Sequence, residues 1–549
     1  MKRKRIKLLG ISLSVIAILL LSVNPALEYA IHHYLQNKMR ILQDSSAYVV
    51  SYKKLNLNIF NTEAQFTDLK FLSVSGEDPT SSKKGLGLLR EIDIERARIK
   101  GVDIGHFLWK ESLEISRIDF DSVNLTVLKP VASVEFNNEE SVKPVMDSLK
   151  LPGIKRIKLG DIGVSNLTLN ILSAQLGDTI SSYRSKDIHI EGVGLSRHGE
   201  GEGNSFIPEL DEMVFRLGEQ QYLLENGLYS MAYKGLLYVH KDESLLIDKL
   251  QIAPHISVDS FATRNSGKNY DRLSMGLHAL RVEGLGLHRI ISTGAVQLQK
   301  IELDSLEIDI FKDRSHPLDP NLDIPLPSRT LEDLGLNLSI DTVLFNGHQL
   351  SFYEKQPNSS RHLETYLTGL RGEIRNIKSG GSARHSEVPL ELKLQGDLLG
   401  AIKLELDIKF PYGKDALYIN GRTSGSSNLA SLNPTMIPAM NMRFGDGKLD
   451  GLTFQANGNS QNMEGELTML FSDLEVELLK PDHHEDLTLS WLANAVVKDS
   501  NPNKRGRTLR ATIYAERDPN KELMKYIIKA IKSGVVNTLN PLGKNRRDR

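Results

Sequence analysis

Fifteen histidines are the first residues to weigh for chemistry, because imidazole ligates metals and moves protons near neutral pH. They are scattered. The only dense run is His483-His484-Glu485-Asp486, directly after Pro481. Metal ligation needs a spacing that brings side chains to one face, so a contiguous run reads as an exposed polar turn. His32-His33 reads as an interfacial pair, not a ligand pair. The chain has no cysteine, which removes disulfides, thiolate ligands and cysteine nucleophiles. It has no GxSxG, no glycine-rich phosphate loop and no HExxH. The acidic residues mostly alternate with apolar ones, as on a solvated strand face. Nothing here predicts an enzyme, a cofactor or a metal site. The 68 basic and 69 acidic residues give no overall pull toward nucleic acid.

One group of charges does carry a prediction. Lys2, Arg3, Lys4, Arg5 and Lys7 precede an apolar run, and residues 8–27 make 20 positions. At about 1.5 Å per residue that run spans the roughly 30 Å core of a bilayer. Basic residues beside a first spanning helix stay cytoplasmic, so these five set the topology. A cleaved signal peptide has a similar layout. Ser22-Val23-Asn24-Pro25-Ala26 is a poor cleavage site, however, and Ala26 to Leu42 reads as a continuing helix. The reading favoured is a single-pass membrane protein with its N-terminus inside and residues from about 30 onward outside the cytoplasm.

Past residue 48 the pattern is that of strands. Leu113, Ile115, Ile118, Phe120, Val123, Leu125 and Val127 recur at period two, interrupted by three-residue steps. Ile157, Leu159, Ile162, Val164, Leu167, Leu169 and Ile171 repeat the phrase, as do Val296, Leu298, Ile301, Leu303, Leu306, Ile308 and Ile310. Leu336, Leu338, Ile340, Val343 and Phe345 begin it again. Each step implies a bulge or tight bend that returns apolar side chains to one face. The result is a long sheet with one wet and one oily face.

Helix is sparse. Asn138–Leu149 and Gly286–Thr293 are short candidates. Four prolines mark 316–330 as an extended linker and a domain boundary. Asp518-Pro519 opens a final helix, with Leu523, Ile527, Ile528, Ile531, Val535 and Leu539 on one face and Lys521, Lys525, Lys529 and Lys532 on the other. The predicted organisation is a basic start (1–7), a spanning helix (8–27), a juxtamembrane helix (28–47), two β-regions (48–315 and 331–518) about the linker, and a basic amphipathic helix and tail (519–549).

The apolar face must be covered by something. A second layer of the protein itself would make a closed core. Alternatively the sheet forms a trough that holds acyl chains, each buried methylene contributing about 0.8 kcal/mol. The terminal helix is equally open to two readings. It could close one end of the sheet, or lay its lysines on anionic headgroups.

Several phrases bear on that choice. Tyr48-Val49-Val50-Ser51-Tyr52 leads into Leu55-Asn56-Leu57-Asn58-Ile59-Phe60. Asn433-Pro434 precedes Gly447-Lys448-Leu449-Asp450-Gly451-Leu452-Thr453-Phe454. Gly465, Phe471-Ser472-Asp473-Leu474-Glu475-Val476, Asn501-Pro502, Ile513-Tyr514-Ala515-Glu516-Arg517-Asp518 and Ser533-Gly534 follow. In these the chain resembles the AsmA-like envelope proteins of diderm bacteria, in particular single-anchor variants of the Bacteroidetes type. The resemblance implies a mainly β protein: an N-terminal transmembrane helix, then a long, curved, mostly antiparallel sheet forming a groove from repeated strand units, then a C-terminal amphipathic helix. It also implies a periplasmic location and a part in outer-membrane lipid homeostasis. Its expected partners are a phospholipid or other acyl-chain lipid, the cytoplasmic membrane and other envelope proteins, with no nucleic acid.

The expected groove lining is Leu113, Ile115, Ile118, Phe120, Val123, Leu125, Ile157, Leu159, Ile162, Val164, Leu167, Leu169, Leu298, Ile301, Leu303, Leu306, Ile308, Leu336, Leu338 and Ile340. The rival is a structural or assembly factor for outer-membrane proteins whose sheet edge pairs with client strands. An uncleaved anchor predicts that the mature chain keeps its full length and fractionates with membranes. A shortened, soluble product on immunoblot is the contrary outcome.

Overall fold

In this computed structural model the residues described are 28, 29, 32, 33, 36, 48–58, 61–73, 89–103, 112–129, 155–173, 179–197, 206–224, 227–264, 270–317, 319, 322–355, 362–479 and 498–539. The predicted anchor at 8–27, its basic flank, the helix at 138–149 and the run His483–Asp486 lie outside them. Among the described residues no helix is long and apolar enough to cross a membrane. The protein is mainly β, with one large mixed sheet and a separate two-stranded one. The chain divides into two compact units. Unit 1 holds residues up to 225 with 232–245 and 287–294; unit 2 holds the remainder.

Unit 1 is built on β1 (Tyr48–Ser51), β2 (Lys54–Asn58), β3 (Glu63–Ser73), β4 (Leu89–Val102), β5 (Ser112–Lys129), β6 (Arg156–Ser173), β7 (Thr179–Arg197), β8 (Phe206–Glu209), β9 (Val214–Leu217) and β10 (Gln220–Leu223). Both β1 and β2 pair with β3, and β3, β4 and β5 follow as antiparallel neighbours. β5 and β6 are parallel, with Leu113 beside Ile157, Ile118 beside Ile162 and Leu125 beside Leu169. Two repeats of one sequence phrase therefore lie side by side in phase. β7 returns antiparallel along β6.

The three-residue steps are shared bends. From Leu69 to Leu72 and from Glu63 to Thr67, β3 keeps the same register on β4, although one residue on each strand is skipped between those stretches. The same holds between β4 and β5, β5 and β6, and β6 and β7. A one-sided bulge shifts register; here both partners step together. One bend row runs through Asp68, Glu95, Ser122, Ser165–Asn166 and Asp187. Asp68, Ser122 and Asp187 take left-handed φ angles of 51, 52 and 54°. Asp and Ser tolerate that region better than branched residues do. The other row runs through Thr62, Gly101, Ser116, Gly160 and Gly192. Ser116 Oγ donates to the Gly101 carbonyl at 3.2 Å. Gly192 has φ 69°, and a Cβ there would collide with the Glu212 carbonyl oxygen.

Unit 2 repeats the device. Along the chain come β11 (Tyr229–Val239), β12 (Ser244–Pro254), helix α1 (Val258–Arg264), β13 (Arg272–Leu277), β14 (Ala279–Glu283), α2 (Leu287–Thr293), β15 (Val296–Asp304) and β16 (Glu307–Asp313); α2 and residues 232–245 of β11 and β12 fall in unit 1, the rest in unit 2. Then follow α3 (Pro327–Glu332), β17 (Leu338–Lys355) and β18 (His362–Lys378). One spacing separates Leu113 from Val296, Gly101 from Gly284 and Ser122 from Ser305. Gly284 and Ser305 also have left-handed φ, 84 and 54°. β15 and β16 both pair in parallel with β17, as β5 does with β6. The proline-rich stretch 316–330 is the crossover these parallel strands require, not a boundary between units. Leu326 is buried in the core of unit 2, and the Ile324 N–H donates to the Pro519 carbonyl.

The remaining elements are α4 (Gly380–Arg384), β19 (Leu390–Leu398), β20 (Ile402–Phe410), β21 (Leu417–Ser424), β22 (Ser427–Asn428), α5 (Asn433–Met440), β23 (Met442–Phe444), β24 (Lys448–Gly458), β25 (Asn462–Ser472), β26 (Val476–Leu478), β27 (Ala511–Glu516) and α6 (Leu523–Leu539). Strands β18 to β21, then β24, β25 and β27, form one antiparallel succession. The predicted terminal helix is α6. Ile527 is buried and Leu523, Ile531, Val535 and Leu539 pack against the core as expected, joined by Tyr526, Ala530 and Gly534; Ile528 alone of the expected face turns outward, 56% exposed. Gly534 lets the helix approach closely; a Cβ there would come within 2.9 Å of Leu467. For Gly192→Ala, the left-handed φ and the collision together predict a loss of about 3 kcal/mol, read as a lower urea midpoint.

Candidate functional site

The apolar face in unit 1 is half open. Leu113, Ile115, Ile118, Phe120, Leu125, Leu159, Ile162, Val164, Leu167 and Leu169 are each only partly buried; Val123 and Ile157 are fully so. Phe66, Leu69, Phe71 and Ile92 extend the face across β3 and β4, packing about Ile94, Ala97 and Val123. On β7, Ile188 and Ile190 stand opposite Val164 and Ile162. Side chains on this face touch one another laterally. At the β7 side the face ends in tyrosines: Tyr222 bonds Ser185 at 2.6 Å and Tyr233 at 3.2 Å. Burial, with the Tyr222 hydroxyl, pushes the Tyr233 phenol up.

In unit 2 the apolar face is sealed over β20 to β27, whereas the repeat of the unit 1 phrase on β15 and β16 is half-buried as in unit 1. Leu406, Ile408, Leu417, Ile419, Phe454, Met463, Leu467, Phe471 and Ile513 are all buried in one cluster with Tyr526, Ile527 and Ala530 of α6. Of the expected lining, Leu306 and Ile340 are buried, and Leu298, Ile301, Leu303, Ile308 and Leu338 are half-buried. Leu336 precedes β17 and is 45% exposed. Ser379 ends the ladder there, its Oγ accepting from the Leu338 N–H at 2.9 Å and donating to the Leu336 carbonyl. Where unit 1 has Leu167, unit 2 has His348, whose Nδ1 accepts the Leu306 N–H. Burial holds that imidazole below its usual pKa.

A charge network locks α6 over the end of this face. Lys312, 2% exposed, stands 2.9 Å from Asp271 and 2.5 Å from Glu522. Lys525 lies 3.1 Å from the buried Glu354, which Arg314 also meets at 3.2 Å. Lys525 is thus an anchor, not part of a free basic face. Burial pushes the Asp271 carboxyl up, and Lys312 offsets this only in part. Burial also raises Glu522, but its hydrogen bond to Lys312 and the other bonds outweigh that and hold it low. For Lys312, burial lowers the pKa and the two carboxylates more than restore it. Sequence reasoning missed this cluster. Its signal was Lys312 and Glu354 falling in phase with Ile308-x-Ile310 and Leu350-x-Phe352.

The same helix closes a sheet edge. Backbone groups of Thr512, Tyr514 and Glu516 point away from β25. The Tyr514 N–H donates to Ser533 Oγ at 2.9 Å, Asn537 Nδ2 donates to the Thr512 carbonyl at 2.9 Å, and Lys529 Nζ to the Glu516 carbonyl at 2.8 Å. Lys529, Ser533 and Asn537 are four residues apart along the helix, which puts them on one face.

Among the described residues no group of three or more histidines and carboxylates could hold a metal ion. His32 bonds the Tyr52 hydroxyl at 2.8 Å instead. No family model and no curated protein matches the chain.

Lys312→Met leaves Asp271 and Glu522 without their shared ammonium and should cost about 3 kcal/mol at pH 7. The deficit should shrink as pH falls through about 4, because protonation removes the uncompensated charges. Urea titrations of both proteins across pH check magnitude and sign.

Proposed function

We propose that this chain is a membrane-anchored, lipid-handling protein of the bacterial envelope, extending into the periplasm and supporting outer-membrane lipid homeostasis. It acts without catalysis. The half-open apolar face of β3 to β7 in unit 1 carries the reading. Aliphatic side chains there contact one another sideways but remain partly exposed. An acyl chain laid along them gains about 0.8 kcal/mol for each methylene removed from water. Such contacts are numerous, weak and undirected, so a chain can slide without a large barrier. The basic cluster at Lys2–Lys7 and the apolar run after it support the anchor.

The covered core of β20 to β27 confines the proposal. Leu417, Ile419 and Leu467 are already occupied by the protein's own core, so lipid contact is assigned to unit 1. The rival, pairing of a client strand with a sheet edge, is disfavoured at β27 by the side chains of α6 that already bond that edge.

The test places a photoreactive group at Ile162 in membranes of cells making the full chain. Lipid adducts are expected, and Leu169→Glu should reduce them about tenfold, equivalent to 1.4 kcal/mol, because a carboxylate cannot lie buried under an acyl chain. The variant should keep its urea midpoint, since Leu169 is only half-buried. Adducts with protein alone would favour the assembly factor; adducts undiminished by the glutamate would remove the groove.

A further inference from the structure

The polar face of unit 2 carries a cleft of about 640 Å³ across six adjacent strands, β17 to β21 and β24. It is a shallow cleft, open to solvent over much of its surface and not an enclosed pocket. Lys393, Asp407 and Asn420 stand side by side in one rung, and Gln395, Glu405 and Arg422 in the next. The strands beneath are held by the core on their other face. Leu406 is buried there, and the Phe454 ring lies over Gly421, where a Cβ would collide with it. The cleft therefore rests on a rigid floor.

We propose that this cleft binds a neutral oligosaccharide. Three arguments select that class. The lining holds three cationic and three anionic side chains, so it offers no net attraction to a polyanion. Guanidinium, ammonium, carboxylate, amide and hydroxyl groups line it; Arg422 bonds Glu405 and Glu373 meets Arg375, and a polyol, whose every hydroxyl both donates and accepts, can use the remaining donor and acceptor positions of such a mixed set. Tyr418, two residues before Asn420 and on the same strand face, is 43% exposed and offers an apolar ring beside the polar floor. A peptide would need apolar pockets for its anchors, and Leu344 is the only apolar side chain on this face of the lining. Leu394 and Leu406 alternate to the core side. None of these residues belongs to the unit 1 face, so the proposal is independent of lipid binding.

The test uses the full chain in detergent micelles, with maltotetraose, cellotetraose and chitotetraose as separate titrants in calorimetry and dextran sulfate as the polyanion control. Saturable binding of at least one tetrasaccharide is expected. Asn420→Ala and Tyr418→Ala should each weaken it about tenfold, a change of 1.4 kcal/mol, with unaltered urea midpoints. Absence of saturable binding by all three sugars, binding of dextran sulfate alone, or equal affinity in both variants would each overturn the assignment.

Discussion

Keeping oily side chains on one side of a long sheet is the constraint on which this structure turns. A strand alternates faces strictly, so a local irregularity in one strand alone would throw every later residue to the wrong side. Here the irregularities come in rows. Asp68, Glu95, Ser122 and Asp187 fall on neighbouring strands at matching positions, and the registers on either side of the row agree. The bends cost left-handed backbone at Asp68, Ser122 and Asp187. They preserve both the ladder of hydrogen bonds and the separation of faces.

Both units use this solution, with different coverings. In unit 2 the apolar side is roofed by α6, whose Tyr526 and Ile527 sit in the main core, and by a buried charge network that fixes where the helix starts. In unit 1 the described strands carry the shared phrase with most of its side chains half-exposed, as β15 and β16 do in unit 2. What differs is the rest of each unit: unit 2 adds a self-sufficient core over β20 to β27, and the described strands of unit 1 keep a half-exposed apolar face.

Much of this was legible in the residues themselves. The phrases Leu113–Val127 and Ile157–Ile171 announced strands, one-sidedness and bends, because period two and its interruptions are local signals. The short helix near Gly286–Thr293 and the terminal helix were legible for the same reason. That β5 and β6 run parallel was not, since alternation says nothing about a partner's direction. The proline-rich stretch 316–330 read as a linker because crossover and linker share a composition; only the burial of Leu326 tells them apart. Ile528 reads as inward because an apolar residue at that phase usually is, yet Tyr526 takes the inner position and its ring meets Arg517. The polar cleft left no trace in sequence, because its residues come from six strands and are individually ordinary surface types.

The hydrogen bonds from Lys529, Ser533 and Asn537 to the backbone of β27 have a further consequence. An unsatisfied strand border is a template on which further copies can stack, and crowded compartments favour such growth into fibrils. By dressing that border with its own side chains, the protein withdraws the template. Three of the outward backbone groups of β27 are thereby taken out of play for pairing with a neighbouring molecule.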